Sequence, residues 1–209
     1  MDKLNISEIN DALKDVRNAY RLLALYQKRL LDIVKYTTNF YGVSFNSGWS
    51  KFSNAASHGN RASIDKLSWD WLSLYLYEFN LGGIQIGVDR YNFKIVHQAD
   101  TGYFDASADK RIAPINVEEF ADVNNAVTRL FFVISKNDNG CPKQHILNSN
   151  LKAIDNKIIV KGNWLAVPYN LQRFSSQLET DIVLNEFSTV CKENFGVSIF
   201  EKTVIKELN

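Results

Sequence analysis

The side chains best suited to chemistry in this chain gather in one short stretch, HQADTGYFD, residues 97–105. His97 supplies an imidazole, a group whose ordinary pKa of about 6.5 lets it serve as acid, base or ligand. Carboxylates at Asp100 and Asp105 bracket the hydroxyl of Thr101. The cluster falls at the end of an expected strand and in the turn after it, where a rigid scaffold presents functional groups. Glu78 is the second candidate, because it continues a face otherwise made of Leu72, Leu74 and Leu76. If the strands expected over 72–81 and 91–99 pair, an imidazole and a carboxylate meet inside a pocket. The plainer account is structural. Asp100-Thr101-Gly102 is ordinary turn chemistry, and a buried histidine usually finds a hydrogen-bonding partner in the core.

Other constellations are incomplete. Asp89 with Lys94, and Asp155 with Lys157, echo the acids and lysine with which nucleases hold Mg²⁺ and orient water. Neither pair has the full set. Cys141 precedes Pro142 with His145 four residues on, but lacks an orienting group. The two cysteines, Cys141 and Cys191, form no CxxC pair and read as reduced thiols. Gly82-Gly83-Ile84-Gln85-Ile86-Gly87 matches neither a phosphate-binding nor a dinucleotide-binding loop and suits a hairpin turn. GxSxG, HExxH and paired CxxC signatures are absent. No cofactor and no metal site is implied, and the sequence leaves open whether the protein is an enzyme.

A long amphipathic helix, expected over about Ser7 to Tyr41, carries the largest surface pattern. Apolar or small residues recur every seven positions in three adjacent rows, seen at Ala12 and Ala19, Ile9 and Val16, and Leu13 and Tyr20. Such a face is wider than a two-row coiled-coil seam. Asn5 with Glu8, or Ser7, suits its start and Gly42 its end. A helix of this length spans near 50 Å, against a radius of gyration of about 17 Å for a 209-residue domain. Part of the apolar face is therefore expected to be covered by a second copy, unless the helix breaks near Lys35 to Thr38. Lys14, Arg17, Arg21, Lys28 and Lys35 form a basic stripe suited to a phosphate backbone, an acidic partner or simple solvation.

The elements that must position these groups follow from periodicity. WDWLSLYLYEFNL (69–81) alternates aromatics with leucines at period two and precedes Gly82-Gly83, so a central strand is expected from about Leu72 to Leu81. Residues 91–99 and 129–135 are further strands, and 156–170 is a hairpin turning at Gly162-Asn163. Residues 42–64 are expected to be irregular but packed down. A short helix is expected over 117–129, capped by Asn116 with Glu119 three residues on, and another from the capping box Ser176 to Glu179 through about Asn194, with apolar positions Leu178, Ile182, Val183, Phe187, Val190 and Cys191. The tail after Gly196 suits one last short strand. The order excludes a regular βαβ alternation. The expected fold is α+β: a long N-terminal helix packed on a mainly antiparallel sheet of about 4–6 strands, with two further helices, in a single domain over 1–209.

Composition sets the outer bounds. At 45% hydrophobic residues with 13 Phe, 9 Tyr and 4 Trp, the chain can build a sizeable core. A net charge of +1 gives no global field toward nucleic acid or membrane. No run approaches a membrane span and the first residues lack a secretory signal, so a soluble cytoplasmic protein is expected. The expected function is non-enzymatic binding, with a homodimer formed through the N-terminal helix and an unidentified protein or small-molecule ligand. The alternative is a nucleic-acid binder or metal-dependent nuclease-like enzyme using the basic stripe and an acidic pocket.

Overall fold

A computed structural model describes residues 5–50, 76–102, 120–138 and 158–198. Contacts divide the chain into two compact units, 1–37 and 38–209, each described by itself.

The first unit is most of helix α1, Ile6–Tyr41, 36 residues long. Its start is a reciprocal cap. The Ser7 amide donates to Asn5 Oδ1 at 3.2 Å and the Asn5 amide donates to Glu8 Oε2 at 2.9 Å. The helix runs unbroken through Lys35 to Thr38, so the alternative of a fold-back there is not taken. It stops at Gly42, whose φ of +65° a side chain would resist. Two bonds close the last turn, from the Gly42 amide to Asn39 O at 3.4 Å and from the Val43 amide to Thr38 O at 3.0 Å.

The second unit holds a six-stranded sheet in the order β1-β2-β3-β4-β6-β5, every neighbouring pair antiparallel. Its strands are β1 (Ser47–Ser50), β2 (Leu76–Ile86), β3 (Asp89–Gln98), β4 (Arg129–Lys136), β5 (Ile159–Lys161) and β6 (Trp164–Asn170). The α+β class is therefore present, with two α-helices among the described residues where three were expected over the whole chain. β1 lies inside the segment expected to be irregular, and pairs Ser47 to Ser50 with Asn80 to Tyr77. Its short Ser-Gly-Trp-Ser sequence has no alternating apolar signature, because an edge strand needs only a partner's free backbone.

Gly82-Gly83 does not end β2 as expected. The strand continues, with one extra residue between Asn80 and Gly83 relative to Lys94 and Asn92 of β3. This bulge places Gly82 at φ +76° and lets its amide bond Asn80 Oδ1 at 2.9 Å. The turn comes instead at Gly87-Val88, with Gly87 at φ +60°. The first part of the expected central strand, 72–75, lies outside the described residues, as do Trp69, Trp71 and the C-terminal tail beyond 198.

Both faces of the sheet are covered. On one face Phe79, Phe93, Ile95 and Phe132 are at most 1% exposed. Helix α2, Gln177–Phe195, lays Phe187 here, stacked on Phe93 with centroids 5.5 Å apart and edge-on to Phe132 at 5.2 Å. The Tyr41 hydroxyl donates to Leu184 O at 2.7 Å, and burial raises its pKa well above the usual phenol range. On the other face Leu76, Val96, Phe131, Val133 and Ala166 form a core cluster. Fully buried aromatic side chains of this size dominate the stabilising area.

α2 starts as its sequence implies, with the Glu179 amide donating to Ser176 Oγ at 3.2 Å, and ends at Gly196 in the left-handed conformation. Its buried stripe is Thr180, Val183, Leu184, Phe187 and Cys191. Of the helix's other apolar positions, Leu178 and Ile182 are 69% and 41% exposed. Ile182 precedes Val183 by one residue, a rotation of about 100° away from the stripe.

The helix expected over 117–129 is not formed in its described part, residues 120–128. Asp122 instead organises a tight turn, its side chain accepting from the Asn124 amide at 2.8 Å and its carbonyl from Asn125 and Ala126 at 2.9 and 3.1 Å. A short polar side chain that bonds the backbone two residues on competes directly with helix formation.

Candidate functional site

His97 and Glu78 are both buried, 1% and 0% exposed, but the sheet does not bring them together. β2 and β3 pair as expected, with Tyr77 opposite His97 and Glu78 opposite Val96. Directly opposed residues share a face and successive residues alternate, so the two side chains leave the sheet in opposite directions. The pocket that was to combine them is not built.

His97 stands on the aromatic face, between Tyr77 and Leu130 in the cross-strand row. Desolvation lowers its pKa from 6.5 to about 4, so the ring is neutral at physiological pH. Glu78 stands on the other face and meets Lys94 Nζ at 3.2 Å. Two strands across, Arg129 is fully buried, donating from Nε to Gln98 Oε1 at 2.5 Å with its guanidinium 4.9 Å from the Phe131 ring centroid. Gln98, Arg129 and Asn170 are consecutive positions in one cross-strand row. Gln98 Nε2 and Asn170 Oδ1 lack hydrogen-bond partners among the described residues.

This polar array escaped the search for motifs. Its signal was nonetheless present in the alternation of β3, where Lys94 and Gln98 share a face with Val96 and oppose Phe93, Ile95 and His97. Arg129 carried no such signal, because a cation at the first position of an apolar run normally looks like a strand end.

The turn residues serve the backbone. Asp100 Oδ1 accepts from the Gly102 amide at 2.8 Å. Thr101 is fully buried and binds Val127 in both directions, its amide to the Val127 carbonyl at 3.1 Å and its Oγ1 from the Val127 amide at 2.9 Å. Asp105 lies outside the described residues, as do Cys141, His145, Asp155 and Lys157. Asp89 is engaged by Lys136 at 2.8 Å and Asn137 at 2.7 Å, contacts that hold its carboxyl below the usual range. Among the described residues no group of three His, Cys, Asp or Glu side chains is placed to hold a metal ion. The buried Cys191 thiol has its pKa raised by desolvation, which makes it a poor nucleophile.

A cleft of about 470 Å³ opens between β6 and α2, lined by Val167, Tyr169, Arg173, Glu186 and Val190 among others. Arg173 and Glu186 close a two-bond pair at 2.9 and 2.8 Å across it. The guanidinium also lies 5.6 Å from the Tyr169 ring centroid. Its donors toward Glu186 are therefore already in use.

Among the described residues, eight of the fifteen exposed large hydrophobic side chains lie on α1. Ile6, Ile9, Leu13, Val16 and Tyr20 are 75%, 42%, 48%, 49% and 69% exposed. Lys14, Arg17, Arg21, Lys28 and Lys35 are all exposed. Among the described residues no helix is long and apolar enough to cross a membrane.

No curated protein and no solved structure matches the chain. A family model described as PM0109 matches residues 6–197, and the chain thus belongs to the PM0109 family.

Proposed function

We propose that this protein is a non-enzymatic interaction protein that associates with copies of itself through the N-terminal half of α1. The observation that carries this is the run Ile6, Ile9, Leu13, Val16, Tyr20: large apolar side chains at alternating spacings of three and four, each at least 42% exposed. A single exposed leucine needs no explanation, but a contiguous stripe does. Most of a protein helix's stability comes from packing of its apolar face. A partner helix supplies that packing, and a copy of the same chain offers the same stripe at equal concentration.

The charges beside the stripe favour a second copy over a nucleic acid. Lys14 and Arg17 are accompanied by Asp11 and Asp15 on the same or adjoining turns, with Glu8 one turn before Asp11. A phosphate backbone laid along this segment would meet those acids as well as the bases.

Light scattering over a tenfold range of micromolar concentration tests the proposal. The expected result is a mass that rises toward at least twice the 23.9 kDa of one chain. Leu13→Glu, at a site half exposed in one chain, should return the mass to that of the monomer without lowering its melting temperature. A monomeric wild type throughout, or retention on heparin lost with salt in place of self-association, overturns it.

A further inference from the structure

The direction in which two copies of α1 pair follows from how charge is arranged around the stripe. In heptad terms Ile6, Leu13 and Tyr20 fill one core row and Ile9, Val16 and Leu23 the other, so the seam begins at the first residue of the helix. At about 100° per residue, Arg17 borders the seam on one side with Lys14 and Arg21 behind it. On the other side the bordering row is Ala12 and Ala19, with Glu8 and Asp15 behind. The alanines are exposed and too short to screen the acids behind them. The helix is thus basic along one margin of its apolar seam and acidic along the other. Lys14, Asp15 and Arg17 make no ion pair among the described residues, so these charges remain available.

We infer that copies of this chain pair through residues 6–23 of α1 in parallel and in register, the basic margin of one helix facing the acidic margin of the next. This deepens the proposed self-association and rests on it. Parallel helices related by a rotation axis along the bundle place the right margin of one against the left margin of its neighbour. Arg17 then approaches Asp15 of the neighbour at nearly the same height along the axis. An antiparallel pair does the reverse. It sets basic margin on basic margin near Arg17, and acid on acid near Asp15, at a cost of the same order as the parallel gain. Lys14, Arg17 and Arg21 then make one half of a complementary edge rather than part of a nucleic-acid site.

Charge reversal separates the possibilities by sign. In sedimentation equilibrium at low salt, Arg17→Glu is expected to weaken self-association about five- to tenfold, because it faces Asp15 of the neighbouring copy. The double change Asp15→Arg with Arg17→Glu restores it. Both residues are exposed, and circular dichroism with unchanged helical signal confirms that the fold is kept. Tighter association of Arg17→Glu shows an antiparallel pair and overturns the inference while leaving self-association standing. An unchanged constant, or no rescue by the double variant, shows that the margins do not meet and also overturns it. A wild type that stays monomeric refutes the underlying proposal itself.

Discussion

Glu78 and His97 lie on hydrogen-bonded neighbouring strands and point to opposite faces of the sheet, since His97 is opposite Tyr77 while Glu78 is opposite Val96. Each is buried, and each is accommodated differently. The histidine sheds its charge in an aromatic layer, whereas the glutamate meets a lysine in the layer of Leu76, Val96 and Phe131. The consequences are separable by experiment.

For His97 the sign is set by a folded-state pKa of about 4 against 6.5 when unfolded. Above pH 6.5 both states hold the neutral ring and the group is silent. As pH falls from 6.5 to 4 the unfolded chain takes up a proton that the folded chain refuses, so stability drops by roughly 3 kcal/mol. Urea denaturation at pH 7, 5.5 and 4 measures this. His97→Gln should flatten the curve across that window, and parallel profiles for the two proteins would show that His97 titrates normally in the fold.

Lys94 and Glu78 should be strongly interdependent, at 6% and 0% exposure. Lys94→Met leaves a carboxylate buried opposite a thioether and is expected to cost about 3–5 kcal/mol. Adding Glu78→Leu should recover most of that loss, because an apolar pair suits the Leu76, Val96 and Phe131 layer. A double variant no more stable than Lys94→Met would mean that the pair is held by more than its own charges.

The bulge in β2 gives a third test. Gly82 has φ +76°, and a Cβ there would stand 3.0 Å from Asn46 Nδ2 and 3.5 Å from Ser44 O. Gly87 has φ +60° with nothing within 4 Å. Both Gly→Ala changes incur the left-handed penalty of about 1–2 kcal/mol. Gly82→Ala alone must also shift its neighbours, so its melting temperature should fall further than that of Gly87→Ala. Equal losses would indicate that Asn46 yields without cost.

Local chemistry in the sequence determined where many elements begin and end. Asn5 with Glu8, Gly42, Ser176, Gly162-Asn163 and Gly196 act within a few residues of themselves, and caps and turns formed where they stand. Period-two alternation likewise separated Phe93, Ile95 and His97 from Lys94, Val96 and Gln98 before any partner strand was known. Over 120–128, within a segment whose sequence suits a capped helix, a turn at Asp122 stands in place of helix.

Tertiary structure decided what no local signal contains: which strand lies beside which, and in what register. A register shift of one residue moves every side chain of a strand to the other face. The same two sequences, β2 and β3, could in principle have set Glu78 beside His97. Their pairing, fixed by a two-residue turn at Gly87-Val88 and an extra residue at Gly82, gave Glu78 to Lys94 and left His97 to the aromatic layer. The row of Gln98, Arg129 and Asn170 was invisible for the same reason, since its members are 31 and 41 positions apart and meet only because β4 lies between β3 and β6.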